Sequence, residues 1–358
     1  MEQFFCPTRI ISGAGAITEL KNFNIERLLV VTDPFFEKNG LAAQIGAMAQ
    51  SAKVFSGVQP DPTVAQIAVG TAEVKAFKPD WVAAVGGGST MDCAKAMVWF
   101  SGVKARLIAI PTTSGSGSEV TDFAVLTHDG VKHPLVDKTL LPEVAILDSD
   151  LLEQLPRRLI ADTGFDVLSH ALEAYTAKNA GAISDALARD AFCTAFADLP
   201  ASYNGKLEVR GKIHAAATMA GIAFSQAGLG LCHALSHALG GMFHIPHGRL
   251  NAIVLPAVVE LNASHCPKKY ARMARFAGLG GSADTVAVRN LKNSLLRLRK
   301  ELELPATLAQ AGVDPRQVQR NCAELIRAAK ADPCMKTNPF QPEDFMLHRL
   351  LEEVTGRV

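Results

Sequence analysis

Two hydrophobic rhythms divide this chain of 358 residues. Through about residue 150, short runs that are apolar throughout alternate with stretches of helical spacing. Residues 27–32, 52–55, 81–85 and 106–110 read as strands, and residues 41–49, 64–77 and 89–99 read as helices. Strands without polar alternation fit a sheet covered on both faces. Helices of this length between them imply parallel pairing through right-handed crossovers. Beyond residue 155 the spacing is helical almost throughout, as in residues 165–176, 183–199, 209–224, 287–302 and 316–331. The expected architecture is an α/β domain built on a parallel sheet over residues 1–155, followed by an all-helical domain over residues 156–358.

Composition narrows the picture. Hydrophobic residues make up 48% of the chain but aromatic residues only 6%, so the cores must be built from Ala, Val, Leu and Ile. The net charge is +1, with no basic stripe or charged tail, which argues against nucleic acid or an anionic membrane as partner. The seven cysteines are odd in number and form no CxxC pair, the pattern of a reduced, cytoplasmic compartment. Cys93 and Cys232 read as small buried hydrophobes. The first residues lack a secretory pattern, and no apolar run reaches the roughly 18 residues that a membrane span needs.

Chemistry enters through glycines, hydroxyls and histidines. The strand at 81–85 runs into Gly86-Gly87-Gly88 and then a helix. Such a turn lets backbone approach a phosphate, and the helix start offers unpaired N–H groups. Ser89 or Thr90 is the expected N-cap, and Gly87 and Asp92 are candidate cofactor-binding residues; the plainer alternative for Asp92 is a carboxylate favoured by the helix dipole in the first turn. The segment from Pro111 to Thr121, rich in Thr, Ser and Gly, follows another strand. It suits a wall around phosphate and ribose that includes Thr112, Thr113 and Ser116. Asp33, at the end of an earlier strand, can accept from a ribose 2′-hydroxyl and would repel a 2′-phosphate, which favours NAD. A strand-end turn before Pro34 is the plainer alternative.

In the helical half, Asp166 and His170 are four apart, so they project about 40° apart from one helix face. His233 and His247 complete a set of one carboxylate and three imidazoles. That set suits Fe(II) or Zn(II) and is too nitrogen-rich for Mg or Ca. A divalent ion in such a set lowers an alcohol's pKa. His237, four residues after His233, is placed to relay the released proton or to orient a ligand.

The motifs Val85-GGGSTMDCAKA, Pro111-TTSGSGSEVT, Thr163-GFDVLSHALEAY and Gly228-LGLCHALSHALGGMFHIPHG resemble those of the iron-containing (group III) alcohol dehydrogenase family. The resemblance covers nearly the whole chain, including the tail from Cys334. It implies a dinucleotide-binding α/β domain and a helical metal domain, with the active site in the cleft between them. By resemblance, Asp166, His170, His233 and His247 are the metal ligands, and Asp33, Gly88, Ser89, Thr112, Thr113, Ser116 and Lys132 contact the nucleotide. The family usually holds Fe(II), and some relatives use Zn(II). Within the family, Phe224-SQAGLG and Asp61-Pro-Thr are similar to the compact 1-propanol dehydrogenases of bacterial microcompartments. That implies reversible oxidation of a short primary alcohol with NAD by a homodimer or larger homo-oligomer, alongside microcompartment enzymes or shell. Two alternatives are a different enzyme of the same fold, such as glycerol dehydrogenase or dehydroquinate synthase, and a non-catalytic nucleotide-binding protein with a structural metal. A phosphate-bearing substrate would call for several cations near the metal, where the sequence between His233 and its neighbours offers only Arg249.

Overall fold

The computed structural model describes residues 4–128 and 131–356, with the side chains of Val131 and Lys132 outside the described set. It divides into two compact units, Phe5–Leu155 and one beginning at Pro156.

The first unit holds eight strands: β1 (Arg9–Gly13), β2 (Arg27–Thr32), β3 (Ser51–Phe55), β4 (Trp81–Gly86), β5 (Arg106–Pro111), β6 (Phe123–His128), β7 (Val131–Val136) and β8 (Val144–Asp148). Six form a parallel sheet in the order β1-β8-β5-β4-β2-β3. β6 and β7 pair separately as an antiparallel hairpin, an addition to the expected architecture. The central strands β4 and β8 are buried at every residue, whereas the edge strands β1 and β3 have no buried residue. With only Ile10 and Ile11 apolar, β1 offers too short a run to be read as a strand.

The pleat sends successive side chains to opposite faces, and each face builds its own core. Leu29, Val31, Val82, Ala84 and Leu107 meet Ile67, Val74, Met91 and Met97 from the helices α3 (Val64–Phe77) and α4 (Gly88–Ser101). Leu28, Val30, Trp81, Ala83 and Ile108 meet Ala16, Leu20 and Ile45 on the other face, the last from α2 (Leu41–Gly46). A five-residue helix, α1 (Pro34–Lys38), follows β2. Strand order reverses between β2 and β4, and in open α/β sheets ligands bind beyond the carboxyl ends of the strands at such a point.

The second unit is helical: α5 (Arg157–Thr176), α6 (Ala182–Tyr203), α7 (Arg210–Ala227), α8 (Leu231–Phe243), α9 (His247–Ala263), α10 (Pro267–Phe276), α11 (Asp284–Glu301), α12 (Pro315–Arg320), α13 (Cys322–Ala331) and α14 (Asp344–Thr355). The single helix expected over residues 316–331 is broken at Asn321 into α12 and α13. α5 is the central rod, buried along nearly all its length and packed by α6, α7 and α9. Two glycines permit that packing. A Cβ on Gly164 would lie 2.2 Å from Leu199 Cδ1, and one on Gly248 would lie 2.0 Å from the Asp162 carbonyl oxygen. The second contact draws the start of α9 onto α5. Between α7 and α8 the chain turns by 102°. Among the described residues, no single helix is long and apolar enough to cross a membrane.

Candidate metal centre and nucleotide site

Three helix segments converge on Asp166. His170 lies one turn further along α5, His233 lies in the first turn of α8, and His247 opens α9. From Asp166 Oδ1 the distances are 3.8 Å to His170 Nδ1, 3.7 Å to His233 Nε2 and 3.6 Å to His247 Nε2. Asp166, His233 and His247 each place a ligand atom within 4.8 Å of the others. His170 stands beside this trio. Its ring is stacked between Phe224 and His233, with centroids 4.5 Å away on each side. Tetrahedral donors about 2.1 Å from one ion lie about 3.4 Å apart. The three distances from Asp166 Oδ1 are only a few tenths of an ångström longer than that, and Asp166, His233 and His247 are the residues that could close on a single cation.

Electrostatics favour a cation there. Burial alone would raise the Asp166 carboxyl, but His170, His247 and His233 hold it well below the usual range. Burial works against a charged His233, yet Asp166 and Glu173 carry its pKa up to about 9. Burial and the neighbouring imidazoles push His247 well below its ordinary value. His247 therefore offers a neutral ring nitrogen, the form a metal needs. The His233 side chain is 1% exposed and that of His247 29%, so access is from the His247 side.

Several supporting residues went unread in the sequence. Glu173 accepts from the Gly230 and Cys232 amides at 2.9 and 2.6 Å and faces His233 Nδ1 at 2.6 Å. It thus caps α8 and directs His233 Nε2 towards Asp166. Asn251 donates from Nδ2 to Asp166 Oδ1 at 2.8 Å, and the same nitrogen lies 3.3 Å from His233 Nε2 and 3.2 Å from His247 Nε2. His237 stacks on His247, and its Nδ1 meets Asp332 Oδ2 at 2.8 Å. Burial would raise Asp332, but His237 and the Cys334 amide bring it down to about 2. Cys334 joins this pair closely enough for the three to offer ligand atoms within 4.8 Å of one another. The one signal for Glu173 in the sequence is its spacing, seven residues and two turns after Asp166.

Arg249 is occupied by Asp162, with Nε–Oδ1 at 3.1 Å and Nη2–Oδ2 at 2.6 Å. Cys93 and Cys232 are fully buried, and burial drives both thiols up, Cys93 to about 12.

At the carboxyl edge of the parallel sheet, β2, β4 and β5 end side by side. β4 delivers Gly87, Gly88 and Ser89, and β5 delivers Thr112, Thr113 and Ser116. The two loops touch: a Cβ on Gly87 would sit 3.2 Å from Thr113 Oγ1, and one on Gly88 would sit 3.1 Å from Ser116 Oγ. The Thr112 amide donates to the Gly86 carbonyl at 2.9 Å, and the Thr112 side chain is buried. The expected N-cap at Ser89 or Thr90 is incorrect. Gly87 caps α4, and with no side chain of its own it makes no capping bond to the helix start.

Asp92 lies beyond the first turn, contrary to expectation. It accepts from Ser118 Oγ at 2.8 Å and from the Val125 amide at 3.0 Å, so its role is to hold the loop. Fully buried Lys95 donates to Ser118 Oγ at 3.0 Å and to the Thr121 and Phe123 carbonyls at 2.8 and 2.9 Å. Burial lowers its pKa to about 8, against the pull of Asp92, Glu119 and Asp122. Asp33 Oδ1 caps α1 through the Phe35 and Phe36 amides at 2.8 and 3.3 Å. Lys132, expected at the nucleotide, has a side chain outside the described set.

Comparison with known proteins matches residues 7–149 to "Iron-containing alcohol dehydrogenase" and residues 160–355 to "Fe-containing alcohol dehydrogenase family, C-terminal". The chain is 40% identical to 1-propanol dehydrogenase PduQ of Citrobacter freundii, over 99% of this chain and 100% of that protein. It is 35% identical to the NADPH-dependent butanol dehydrogenase of Clostridium saccharobutylicum, over 98% and 97% of the two chains. Among solved structures, an iron-containing alcohol dehydrogenase from Thermococcus thioreducens superposes with a TM-score of 0.92 at 34% identity, covering 98% and 99% of the chains.

Proposed function

The chain belongs to the iron-containing alcohol dehydrogenase family, and from that premise we propose that it interconverts a short primary alcohol, such as 1-propanol or ethanol, and its aldehyde with NAD and Fe(II). The observation that carries this reading is the trio of imidazole nitrogens 3.6–3.8 Å from Asp166 Oδ1. Asp166, His233 and His247 would hold the cation, with His170 as the fourth donor. Fe(II), or Zn(II) in its place, supplies the Lewis acidity that makes an alcohol easier to deprotonate, and NAD supplies the hydride acceptor.

The protein's own residues manage position and proton. Glu173 and Asn251 orient the donors. In this reading Asp332 accepts a hydrogen bond from the Nδ1–H of His237, which leaves Nε2 as the acceptor. The His237 side chain is 32% exposed, so Nε2 takes up the proton released from the alcohol and returns it to water. Gly87, Gly88 and Ser89 offer a helix start to the dinucleotide phosphates, with Thr113 and Ser116 beside them. Asp33 presents a carboxylate just past the end of β2, at the cap of α1, which favours NAD. The Clostridium relative, NADPH-dependent by name, makes this choice a matter for direct test. The domain division at residues 155 and 156, a homo-oligomeric state and residence in a bacterial microcompartment belong to the same reading, the last on the sequence resemblance.

The test is elemental analysis of anaerobically purified protein with a panel of C2–C4 alcohols and aldehydes, for wild type and His233→Ala. The reading expects stoichiometric iron or zinc and alcohol-dependent NADH formation. In His233→Ala both should be lost while NAD binding survives. An active His233→Ala protein with full metal would end the ligand assignment. Metal and NAD bound without turnover on any alcohol, aldehyde or polyol would favour a non-catalytic role.

A further inference from the structure

The helical unit contains a cavity of about 900 Å³ in which none of Asp166, His170, His233 and His247 takes part. It is lined by the start of α5, the end of α11 and the segment Leu302–Ala311, with Tyr203 and Arg249. Its lining charge is mainly positive, five cations to the one carboxylate of Glu303. Arg157, Arg158, Arg299 and Lys300 line it, and among the described residues none of these four has a carboxylate at ion-pair distance. The acidic lining residue Glu303 accepts from Tyr203 Oη at 2.9 Å, and Arg249 is already matched by Asp162.

The helix dipole accounts for only half of this cluster. Arg299 and Lys300 occupy the last turn of α11, where cations are favoured. Arg157 and Arg158 are the first two residues of α5, where the helix end is already positive and a cation is disfavoured. Two arginines at the wrong end of a helix, facing two cations from another, form a field that an anion relieves.

The walls are also held in place. Arg299 Nη1 lies 3.3 and 3.4 Å from the Ala252 and Ile253 carbonyls, and Arg157 stacks over the Tyr203 ring at 4.2 Å. Guanidinium forks match phosphoryl and carboxylate oxygens in pairs, and the volume is that of a small-molecule site rather than of a flat protein contact.

We propose that this cavity binds a small metabolite carrying two or more phosphoryl or carboxylate groups, at a site separate from the metal centre. The site is independent of the dehydrogenase reading, because every residue that lines it is accounted for without metal or NAD.

The test titrates fructose 1,6-bisphosphate, and separately tricarballylate, into the metal-loaded full chain saturated with NAD, followed by calorimetry. Both probes are weak metal chelators, and the dinucleotide site is already filled. One bound molecule per chain is expected, with a Kd of about 1 mM or tighter at low salt. In Arg158→Gln/Lys300→Gln, which changes two exposed side chains and should keep wild-type turnover, binding should weaken about tenfold or more. Tighter binding of the bisphosphate would assign a phosphoryl ligand, and tighter binding of tricarballylate a carboxylate ligand. Absence of binding by both probes, or equal affinity in the double variant, would overturn the proposal.

Discussion

Glu173→Gln removes one charge and almost no volume from the support of the candidate metal centre. In the native protein the Glu173 carboxylate accepts from the Gly230 and Cys232 amides and faces His233 Nδ1, in a fully interior position. A glutamine keeps one accepting oxygen. In the better of its two orientations, Oε1 serves Gly230 and His233, and the new NH₂ group confronts the Cys232 amide. That buried N–H loses its partner, at a cost of about 1–3 kcal/mol. The two remaining bonds fall from charge-assisted to neutral strength, at about 1 kcal/mol each. The expected loss is therefore about 3–5 kcal/mol, or roughly 10 °C or more in melting temperature for a unit of this size. Because Glu173 also aims His233 Nε2 at Asp166, metal affinity should fall about 10- to 100-fold. Denaturant unfolding of the metal-free protein reads the first effect, and competition against a calibrated chelator reads the second. A variant that loses stability but binds metal as wild type does would make Glu173 a helix cap only. A variant unchanged in both would refute the reasoning altogether.

Three further outcomes are expected. Gly248→Ala places a Cβ 2.0 Å from the Asp162 carbonyl oxygen, so α9 must move off α5, with a loss of about 3 kcal/mol or more seen in equilibrium unfolding; a wild-type melt would contradict that contact. Lys95 keeps its proton to pH 10.5 when unfolded but only to about 8 when folded, so between these values the unfolded chain binds more protons and stability rises with pH. Relative to Lys95→Met, wild type should gain on the order of 3 kcal/mol from pH 7.5 to 10.5, and a flat difference would rule out the buried ammonium. Asp33→Gly should narrow the preference for NAD over NADP, measured as the ratio of kcat/KM values; an unchanged ratio would remove Asp33 from the cofactor site.

Sequence reading finds three strands buried nearly throughout and also the exposed edge strand β3, but it misses β8, which is buried at every residue. β2, β4 and β5 are apolar nearly throughout, and their ends in Asp33, Gly86 and Pro111 are legible with them. β1 is missed because its apolar run is only Ile10 and Ile11, and the β6–β7 hairpin because Lys132, His133 and Pro134 break any alternation. The i, i+4 spacing of Asp166 and His170 puts two site residues on one helix face before any coordinates exist. Glu173, Asn251 and Asp332 are a different matter. Their partners lie 60, 85 and 95 positions away in sequence, and only the packing of α8 and α9 on α5, and of α13 on α8, brings them near. Periodicity reports which face of a helix is buried, not which neighbour it meets. The same holds for the basic cavity, whose cations come from residues 157–158 and 299–300 and form no run along the chain.

The lattice that joins Lys95, Asp92 and Ser118 bears on any attempt to redesign dinucleotide choice. Since each of these groups answers to the others, a change in the loop from Thr112 to Thr121 disturbs helix, loop and hairpin together. Among the described residues, the Asp33 side chain engages only the amides of its own neighbours, Phe35 and Phe36. One end of the binding rim is thus welded and the other bolted, and re-engineering should begin at the bolt.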